Sequence, residues 1–241
     1  MSATLDIQRR DNRFHTAIGW LESHHSFSFS THYDPNNTHF GLLLVNNDDR
    51  VRADTGFSTH PHRDMEIVTW VLDGELEHKD SEGNQGIIYP GLAQRMSAGT
   101  GIFHSEMNPS RDEDVHFVQM WVVPDTERIT PGYQQLDIND ALAKGGLVPI
   151  ASGAGHDAAI AIRQKDAVLH GARLQPGEVV VLPDAPFVHL FVPRGEVELE
   201  GGGVLLEGDA ARITGAGGPK VTARASAEIL VWEMHGALEG W

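Results

Sequence analysis

The sequence predicts an all-β protein that consists of two tandem β-barrels. Short apolar runs rich in Val, Ile, Phe and Trp recur along its 241 residues, and turn residues such as glycine and proline bound them. Long stretches with helical periodicity are scarce, and the two halves of the chain resemble each other. We place the boundary after residue 135, which gives an N-terminal barrel over 1–135 and a C-terminal barrel over 136–241.

Strand-sized runs occur in both halves of the chain. The clearest are HFGLLLVNND, MEIVTWVLDGELE and VHFVQMWVVP in the first half, and EVVVLPD, FVHLFVPRGEVELE and AEILVWEMH in the second. The best candidate for a helix is DINDALAKGG, residues 137–146, which has an acidic start and a glycine stop. It follows a Pro-Gly turn, and we assign it to the connection between the barrels.

The internal repeat rests on two pairs of matching segments. WVLDGELE (70–77) matches FVPRGEVE (191–198), and YPGLAQRM (89–96) matches LEGDAARI (206–213). The two pairs occur in the same order, and each lies inside a pattern of strand, turn and strand. This arrangement indicates a tandem duplication of one β-barrel.

Composition excludes several classes of protein. The chain has 34 acidic and 18 basic residues, and its formal net charge of −16 repels nucleic-acid backbones and anionic membranes. It contains no cysteine, so any bound metal would be held by nitrogen and oxygen ligands. The N-terminus lacks the apolar core of a signal peptide, and no apolar run has the length of a membrane span. We therefore expect a soluble, cytoplasmic protein.

Two clusters of metal-ligand residue types lie in the first half. His60, His62 and Glu66 occupy positions i, i+2 and i+6, which share a face of a strand but not of a helix. His104 and Glu106 are also two residues apart and share a strand face. Two such strands facing each other predict a site with three imidazoles and one carboxylate. The spacing leaves open which glutamate supplies the carboxylate.

The repeat provides an internal comparison for this prediction. Carried across by the repeat offsets, the five candidate ligands map onto Val181, Pro183, Phe187, Val221 and Ala223. Histidines that served only the barrel fold should recur in the second copy, and none does. We therefore predict one metal site, in the N-terminal barrel, and a structural C-terminal barrel. The isolated histidines elsewhere are assigned to packing or solvated positions.

Several motifs in the first half resemble known families. GFSTHPHRDMEIVTWVLDG (56–74) and YPGLAQRMSAGTGIFHSEMN (89–108) resemble the two cupin motifs. Together with GWLESHHSFSFSTHYDP (19–35), they are similar to the pirin family, in particular to the bacterial pirin-like quercetinases. The resemblance implies a bicupin, with two jelly-roll (double-stranded β-helix) barrels and one divalent metal ion in the first.

The resemblance also implies a ligand set and an activity. The family's ligands correspond to His60, His62, His104 and Glu106, which leaves Glu66 as a supporting residue outside the ligand set. Iron(II) suits these donors best, and manganese, nickel, cobalt, copper or zinc would also fit. The implied reaction is quercetin 2,3-dioxygenation, in which quercetin and O₂ give a depside and carbon monoxide. Glu106 is then the candidate base toward the flavonol 3-hydroxyl.

A flavonol site would also need an apolar wall. By their nearness in sequence to the ligand strands, the candidates for this wall are Met65, Phe103, Phe117 and Trp121.

The alternative role is non-enzymatic, since eukaryotic pirins are metal-dependent, redox-sensitive partners of transcription regulators. The acidic composition favours a small-molecule enzyme. Because a bicupin already contains two barrels, we expect a monomer.

Overall fold

β-Strands dominate the fold, which confirms the all-β prediction. The structure is a computed structural model that describes residues 3–157, 160–215 and 217–238. Within these ranges it contains 22 strands, a 3₁₀ turn at Arg10–Asn12 and a short α-helix. None of the helices in the described ranges has the length and apolar character needed to cross a membrane.

The first half of the chain contributes twelve strands. They are β1 (Thr4–Gln8), β2 (Phe14–Ile18), β3 (Leu21–His25), β4 (Leu43–Val51), β5 (Gly56–His62), β6 (Glu66–Asp73), β7 (Leu76–Asp80), β8 (Gln85–Ile88), β9 (Leu92–Ser97), β10 (Ile102–Met107), β11 (Val115–Val122) and β12 (Gly132–Asp137).

The second half opens with the helix α1 (Asn139–Leu142) and continues with ten strands. They are β13 (Val148–Ser152), β14 (Ile160–Ala161), β15 (Ala167–Leu174), β16 (Val179–Val181), β17 (Phe187–Arg194), β18 (Glu196–Leu199), β19 (Gly203–Leu206), β20 (Ala210–Thr214), β21 (Lys220–Ala223) and β22 (Ala227–Met234).

Each half forms a barrel from one seven-stranded and one four-stranded sheet. The first barrel has the strand orders β12-β9-β6-β11-β4-β3-β2 and β5-β10-β7-β8. The second has the orders β1-β20-β17-β22-β15-β13-β14 and β16-β21-β18-β19. The strand orders correspond except at one edge, where β2 is antiparallel to β3 but β14 is parallel to β13. This correspondence confirms the tandem bicupin architecture.

The predicted domain boundary after residue 135 falls inside a strand. β12 spans the boundary at residue 135 and pairs with β9, so the first barrel extends to Asp137. β1 pairs with β20 of the second barrel, although it lies at the start of the chain. β1 and β12 occupy equivalent edge positions, so the first strand of the chain completes the sheet of the second barrel. Such pairing is long-range and leaves no local signal in the sequence.

The connecting helix is shorter than the sequence predicts. It spans Asn139–Leu142 rather than 137–146, because residue 137 is the last residue of β12. Gly145 and Gly146 each have φ of +78°, which a continuing right-handed helix does not allow.

The two seven-stranded sheets pack face to face. Val68, Trp70 and Leu72 of β6 belong to a buried apolar cluster that also contains residues of the second barrel, including Trp232. Across this interface the Trp70 indole N–H donates a hydrogen bond of 2.6 Å to Glu228. Because side chains alternate along β6, the neighbouring residues of that strand face the interior of the first barrel.

The interior of the second barrel is apolar where the first barrel carries histidines. In β16 and β21, Val180 lies opposite Val221, just as His60 lies opposite His104 in β5 and β10. The structural counterpart of His60 is therefore Val180, one residue before the predicted Val181. Val180 lies seven positions before the start of β17, whereas His60 lies six positions before the start of β6, and this extra residue causes the shift. The residues now equivalent to His60, His62, His104 and Glu106 are Val180, Leu182, Val221 and Ala223, all in one buried apolar cluster.

His189 of β17 is buried beside the interface between the two seven-stranded sheets, without a polar partner among the described residues. Its exposed fraction is 0%, and neither ring nitrogen has a hydrogen-bond partner among the described residues. Burial, with smaller contributions from Arg212 and Arg13, lowers the pKa of His189 from 6.5 to about 3. The imidazole is therefore neutral in the folded protein at pH 7.

We expect the free energy of unfolding to decrease as the pH is lowered from 7 to 5. The unfolded chain protonates His189 near pH 6.5, whereas the folded chain does so only near pH 3, so protons favour the unfolded state between these values. The contribution of this residue is about 2 kcal/mol at pH 5. His189→Leu should remove it and should not destabilise the protein at pH 7, because two unpaired buried nitrogens are lost. Urea unfolding of both proteins at the two pH values measures this. An equal pH dependence in both would contradict the prediction.

Candidate metal centre

Three imidazoles converge inside the first barrel. β5 and β10 are antiparallel neighbours, and His60 on β5 lies directly opposite His104 on β10. The ring centroids are 4.9 Å apart for His60 and His62, 4.5 Å for His60 and His104, and 4.9 Å for His62 and His104. One ring nitrogen of each residue lies within 4.8 Å of the others. The structure thus brings together the three histidines that the spacing selected.

The proline between His60 and His62 fits this strand because β5 is the edge of its sheet. Pro61 lies opposite Phe103, and β5 has β10 as its sheet neighbour. Proline has no N–H for a strand ladder, so edge strands are the positions where sheets tolerate it.

In β10 the register shifts between His104 and Glu106. This irregularity re-aims the side chains at the end of the strand.

The free ring nitrogens fit a divalent cation. Nε2 of His62 and Nε2 of His104 are both buried and have no hydrogen-bond partner among the described residues, which is uncommon for buried polar atoms. His60 donates from Nδ1 to the Ser58 carbonyl at 2.8 Å, which leaves its Nε2 as an acceptor. Burial lowers the pKa of His62 to about 4 and that of His104 to about 3, so both rings are neutral at pH 7. Neutral imidazoles with free lone pairs are the form that binds metal ions.

Glu106 is held beside the imidazoles by hydrogen bonds. Its Oε2 lies 4.0 Å from Nε2 of His104, and only 2% of the residue is exposed. The Gln119 side-chain amide donates to both carboxylate oxygens at 2.8 Å. Trp121 in turn donates from its indole N–H to the Gln119 oxygen at 3.1 Å. Gln119 was not predicted, although it lies two residues before Trp121 and therefore on the same face of β11.

Glu66 faces away from the imidazoles. β5 ends at His62 and β6 begins at Glu66, and Asp64 between them has φ of +46°. The chain therefore turns within the segment that the sequence analysis treated as one strand, and the argument from position i+6 was wrong. Glu66 instead accepts hydrogen bonds of 3.0 Å from the Ser97 hydroxyl and from the backbone N–H of Arg163. It thus connects the first barrel to the second half of the chain.

A buried histidine and aspartate support His104 from the next strand. Nε2 of His78 lies 3.0 Å from Asp80 Oδ2, and Nδ1 of His78 lies 3.4 Å from Nδ1 of His104. If His78 donates to Asp80, its Nδ1 accepts from Nδ1–H of His104, and this leaves Nε2 of His104 free for a metal. As an isolated histidine, His78 is expected from the sequence at a packing or solvated position, and this expectation misses its place beside His104. Its spacing of two from Asp80 on a strand was the available signal.

A cavity of about 350 Å³ is lined by His60, His62 and Glu106, among other residues. Its aromatic residues form two edge-to-face pairs. Trp20 and Phe57 have ring centroids 5.0 Å apart, and Phe29 and Trp121 have centroids 5.6 Å apart. Trp121 also stands edge-on to His62, at 4.8 Å. The cavity therefore offers flat aromatic surfaces directly beside the candidate ligands.

Of the four residues that the sequence analysis proposed for this wall, Trp121 lines the cavity. Phe117 is fully buried in the apolar core, Phe103 is 55% exposed, and Met65 packs against a separate apolar cluster that includes Ile67. The other three aromatic wall residues lie within 19–35 or at the start of β5. The first of these segments had contributed to the family resemblance, but nothing in its sequence indicated that it reaches the cavity.

A second group with metal-ligand residue types lies on β2 and β3. His15, Glu22 and His24 bring one ligand atom each within 4.8 Å of the others. Arg10 lies 3.6 Å from Glu22, and burial, with smaller contributions from Arg10 and Arg13, lowers the pKa of His24 to about 4. These positive charges oppose cation binding, so we assign no metal to this group.

The fold and this site define the chain as a bicupin with one candidate metal centre. The family model of Pirin matches residues 7–122, and the model of the Quercetinase C-terminal cupin domain matches residues 149–234. The chain belongs to the pirin family, which confirms the resemblance seen in its motifs.

Relatives with similar sequences and structures cover nearly the whole chain. A Mycobacterium tuberculosis protein named "Putative quercetin 2,3-dioxygenase" is 61% identical over 239 residues, which are 99% of this chain and 98% of that protein. The crystal structure of YhhW from Escherichia coli has a TM-score of 0.90 at 36% identity and covers 98% of this chain and 100% of its own. The same bacterial pirin in complex with nickel(II) has a TM-score of 0.89 at 36% identity and covers 97% and 100%.

We expect His104→Ala to lose the bound divalent ion and Glu66→Gln to retain it. The first change removes one of three converging imidazoles, whereas Glu66 bonds elsewhere. Metal analysis of each protein after loading with nickel(II) and gel filtration measures the stoichiometry. A Glu66→Gln protein without metal would show that the ligand set is wrong.

We expect His78→Ala to bind one metal ion with an affinity lowered by about 10- to 100-fold, because His104 loses the partner that fixes its tautomer. Competition with a chelator measures the affinity. The matched control is His235→Ala, which removes a surface histidine paired with Glu233 and should leave the affinity unchanged. Equal affinities of the wild-type protein and His78→Ala would contradict the supporting role of His78.

Proposed function

We propose that this protein is a metal-dependent flavonol dioxygenase of the quercetin 2,3-dioxygenase type, which cleaves quercetin with O₂ to a depside and carbon monoxide. The observation that carries the proposal is an aromatic-lined cavity bordered by His60, His62 and Glu106, with the imidazole of His104 directly beside them. The names of the relatives support it, as does the match to the quercetinase C-terminal cupin domain.

His60, His62, His104 and Glu106 would hold one divalent ion, for which iron(II) is our preferred candidate. Nickel(II) in the YhhW structure supports an ion of the same charge. When bound, such an ion supplies Lewis acidity and a positive charge that favours the ionised form of a nearby hydroxyl group. These four donors are the ones that the family resemblance implies, and their position on the neighbouring strands β5 and β10 supports the proposal.

Glu106 is the candidate base for the flavonol 3-hydroxyl. Its carboxylate borders the cavity, and Gln119 holds it by hydrogen bonds to both oxygens. A carboxylate in this fixed position can accept a proton from a substrate hydroxyl within hydrogen-bond reach. The hydrogen bonds from Trp121 to Gln119 and from Gln119 to Glu106 fix the direction from which the carboxylate would accept the proton.

The aromatic pairs would bind the planar rings of the substrate and exclude water. Edge-to-face pairs such as Trp20 with Phe57 are rigid, so they present their surfaces without ordering on binding. A volume of about 350 Å³ suits a single small aromatic molecule. This size, together with the net charge of −16, favours a small substrate over a nucleic acid.

The proposal predicts that metal-loaded protein in air consumes quercetin and releases carbon monoxide. Loss of the flavonol absorbance and detection of the gas measure the reaction, with iron, manganese, nickel, cobalt and copper tested separately. His104→Ala and an oxygen-free sample are the controls, and both should be inactive. Absence of turnover with every metal would reject the proposal and favour the non-enzymatic, protein-binding role.

A further inference from the structure

One wall of the cavity is polar, and the proposed reaction does not use it. Ser23 and His25 of β3 and Asn47 and Asp49 of β4 line the cavity, and we call these four residues the polar wall. Ser23 lies opposite Asp49 and His25 opposite Asn47, so the four side chains form one contiguous patch on two paired strands. Each of them is at most 4% exposed. A buried polar patch beside aromatic surfaces is the composition of a ligand site.

Most of the polar wall is fixed by its own hydrogen bonds. Nδ1 of His25 lies 2.9 Å from the Asn47 side-chain oxygen, and Nε2 of His25 lies 2.9 Å from the Thr16 hydroxyl. Thr16 also contacts Nε2 of His32 at 3.0 Å. Both nitrogens of His25 are therefore engaged, and this ring acts as a rigid part of the wall.

Asp49 differs from its neighbours because it has an unpaired atom. Its Oδ1 is buried and has no hydrogen-bond partner among the described residues, although the residue is only 3% exposed and lines the cavity. Burial raises the pKa of Asp49 to about 7; the Ser23 hydroxyl opposes this increase, and the nearby carboxyl groups of Asp48 and Glu106 add to it. Near neutral pH such a carboxyl group can both donate and accept hydrogen bonds.

We propose that Asp49 is a specificity-determining residue that hydrogen-bonds a ring hydroxyl group of the ligand. The site would then select polyhydroxylated flat aromatic molecules over those with few hydroxyl groups. A ligand without a matching hydroxyl leaves a buried carboxyl unpaired, and sites built around a hydrogen bond reject such ligands strongly. This inference rests on the proposed function in one respect, namely that a flavonol-like molecule occupies the cavity.

The test compares quercetin with 3-hydroxyflavone, which keeps the 3-hydroxyl but lacks the other hydroxyl groups. Equilibrium binding is measured without oxygen on metal-loaded protein, by quenching of the tryptophan fluorescence that Trp20 and Trp121 contribute at the cavity. Asp49→Ala should weaken quercetin binding by about tenfold or more, the loss expected for one hydrogen bond to a buried carboxyl group, and 3-hydroxyflavone binding by less than about threefold. Asp49→Asn retains polar hydrogen-bonding atoms and should keep part of the preference for quercetin.

Asp73→Asn is the matched control. Asp73 is the last residue of β6, and its exposed carboxylate pairs with Arg194 rather than lining the cavity. This change should leave the ratio of the two affinities unaltered. Should Asp49→Ala fail to fold, Asp49→Val, which fills more of the lost volume, takes its place.

Three outcomes would overturn the inference. Asp49→Ala could lose the same affinity for both ligands, or it could bind quercetin as tightly as the wild-type protein does. The wild-type protein could also bind neither ligand. Failure of the proposed function looks different. In that case the wild-type protein would bind quercetin selectively without oxygen but would not consume it in air. The binding measurement thus separates the ligand preference from the reaction.

Discussion

His60 on β5 lies directly opposite His104 on β10, and this register places three imidazoles on one inner face of the first barrel. A slip of one residue would turn the side chains of one strand to the other face of the sheet. The barrel also buries Nε2 of His62 and Nε2 of His104 without a hydrogen-bond partner among the described residues, which costs free energy as long as these atoms stay unpaired. The cavity, the carboxylate and the supporting hydrogen bonds are all arranged around this cluster.

Both sides of the cluster are held by hydrogen-bonded side chains. Trp121 and Gln119 of β11 fix the carboxylate of Glu106, while His78 and Asp80 of β7 fix the ring of His104. Groups held in this way do not have to be ordered when a metal or substrate binds, so less conformational entropy is lost. These residues lie on strands of both sheets of the barrel, and their positions therefore depend on how the two sheets close around the interior.

The second barrel shows what the same fold does without such a site. Val180, Leu182, Val221 and Ala223 fill the positions of the four candidate ligands with apolar side chains. Its interior is an apolar core, whereas the first barrel contains polar groups whose burial is unfavourable. The two large sheets share an apolar interface braced by the Trp70–Glu228 hydrogen bond, and β1 joins the start of the chain to the second barrel. We infer that the second barrel stabilises the first.

The sequence by itself determined the all-β fold, the duplication and the residue types of the metal centre, because strand alternation and turn chemistry act over a few residues. It predicted the three converging histidines, since each pair of candidates was local to one strand. Only the tertiary structure decided that Glu66 faces away, that β1 completes the second barrel, and that Trp20, Phe29, Phe57 and Asp49 meet at the cavity. These features follow from a turn at Asp64 and from pairing between distant strands. Contacts of that kind are set by the closure of the whole barrel and have no period that a linear sequence can display.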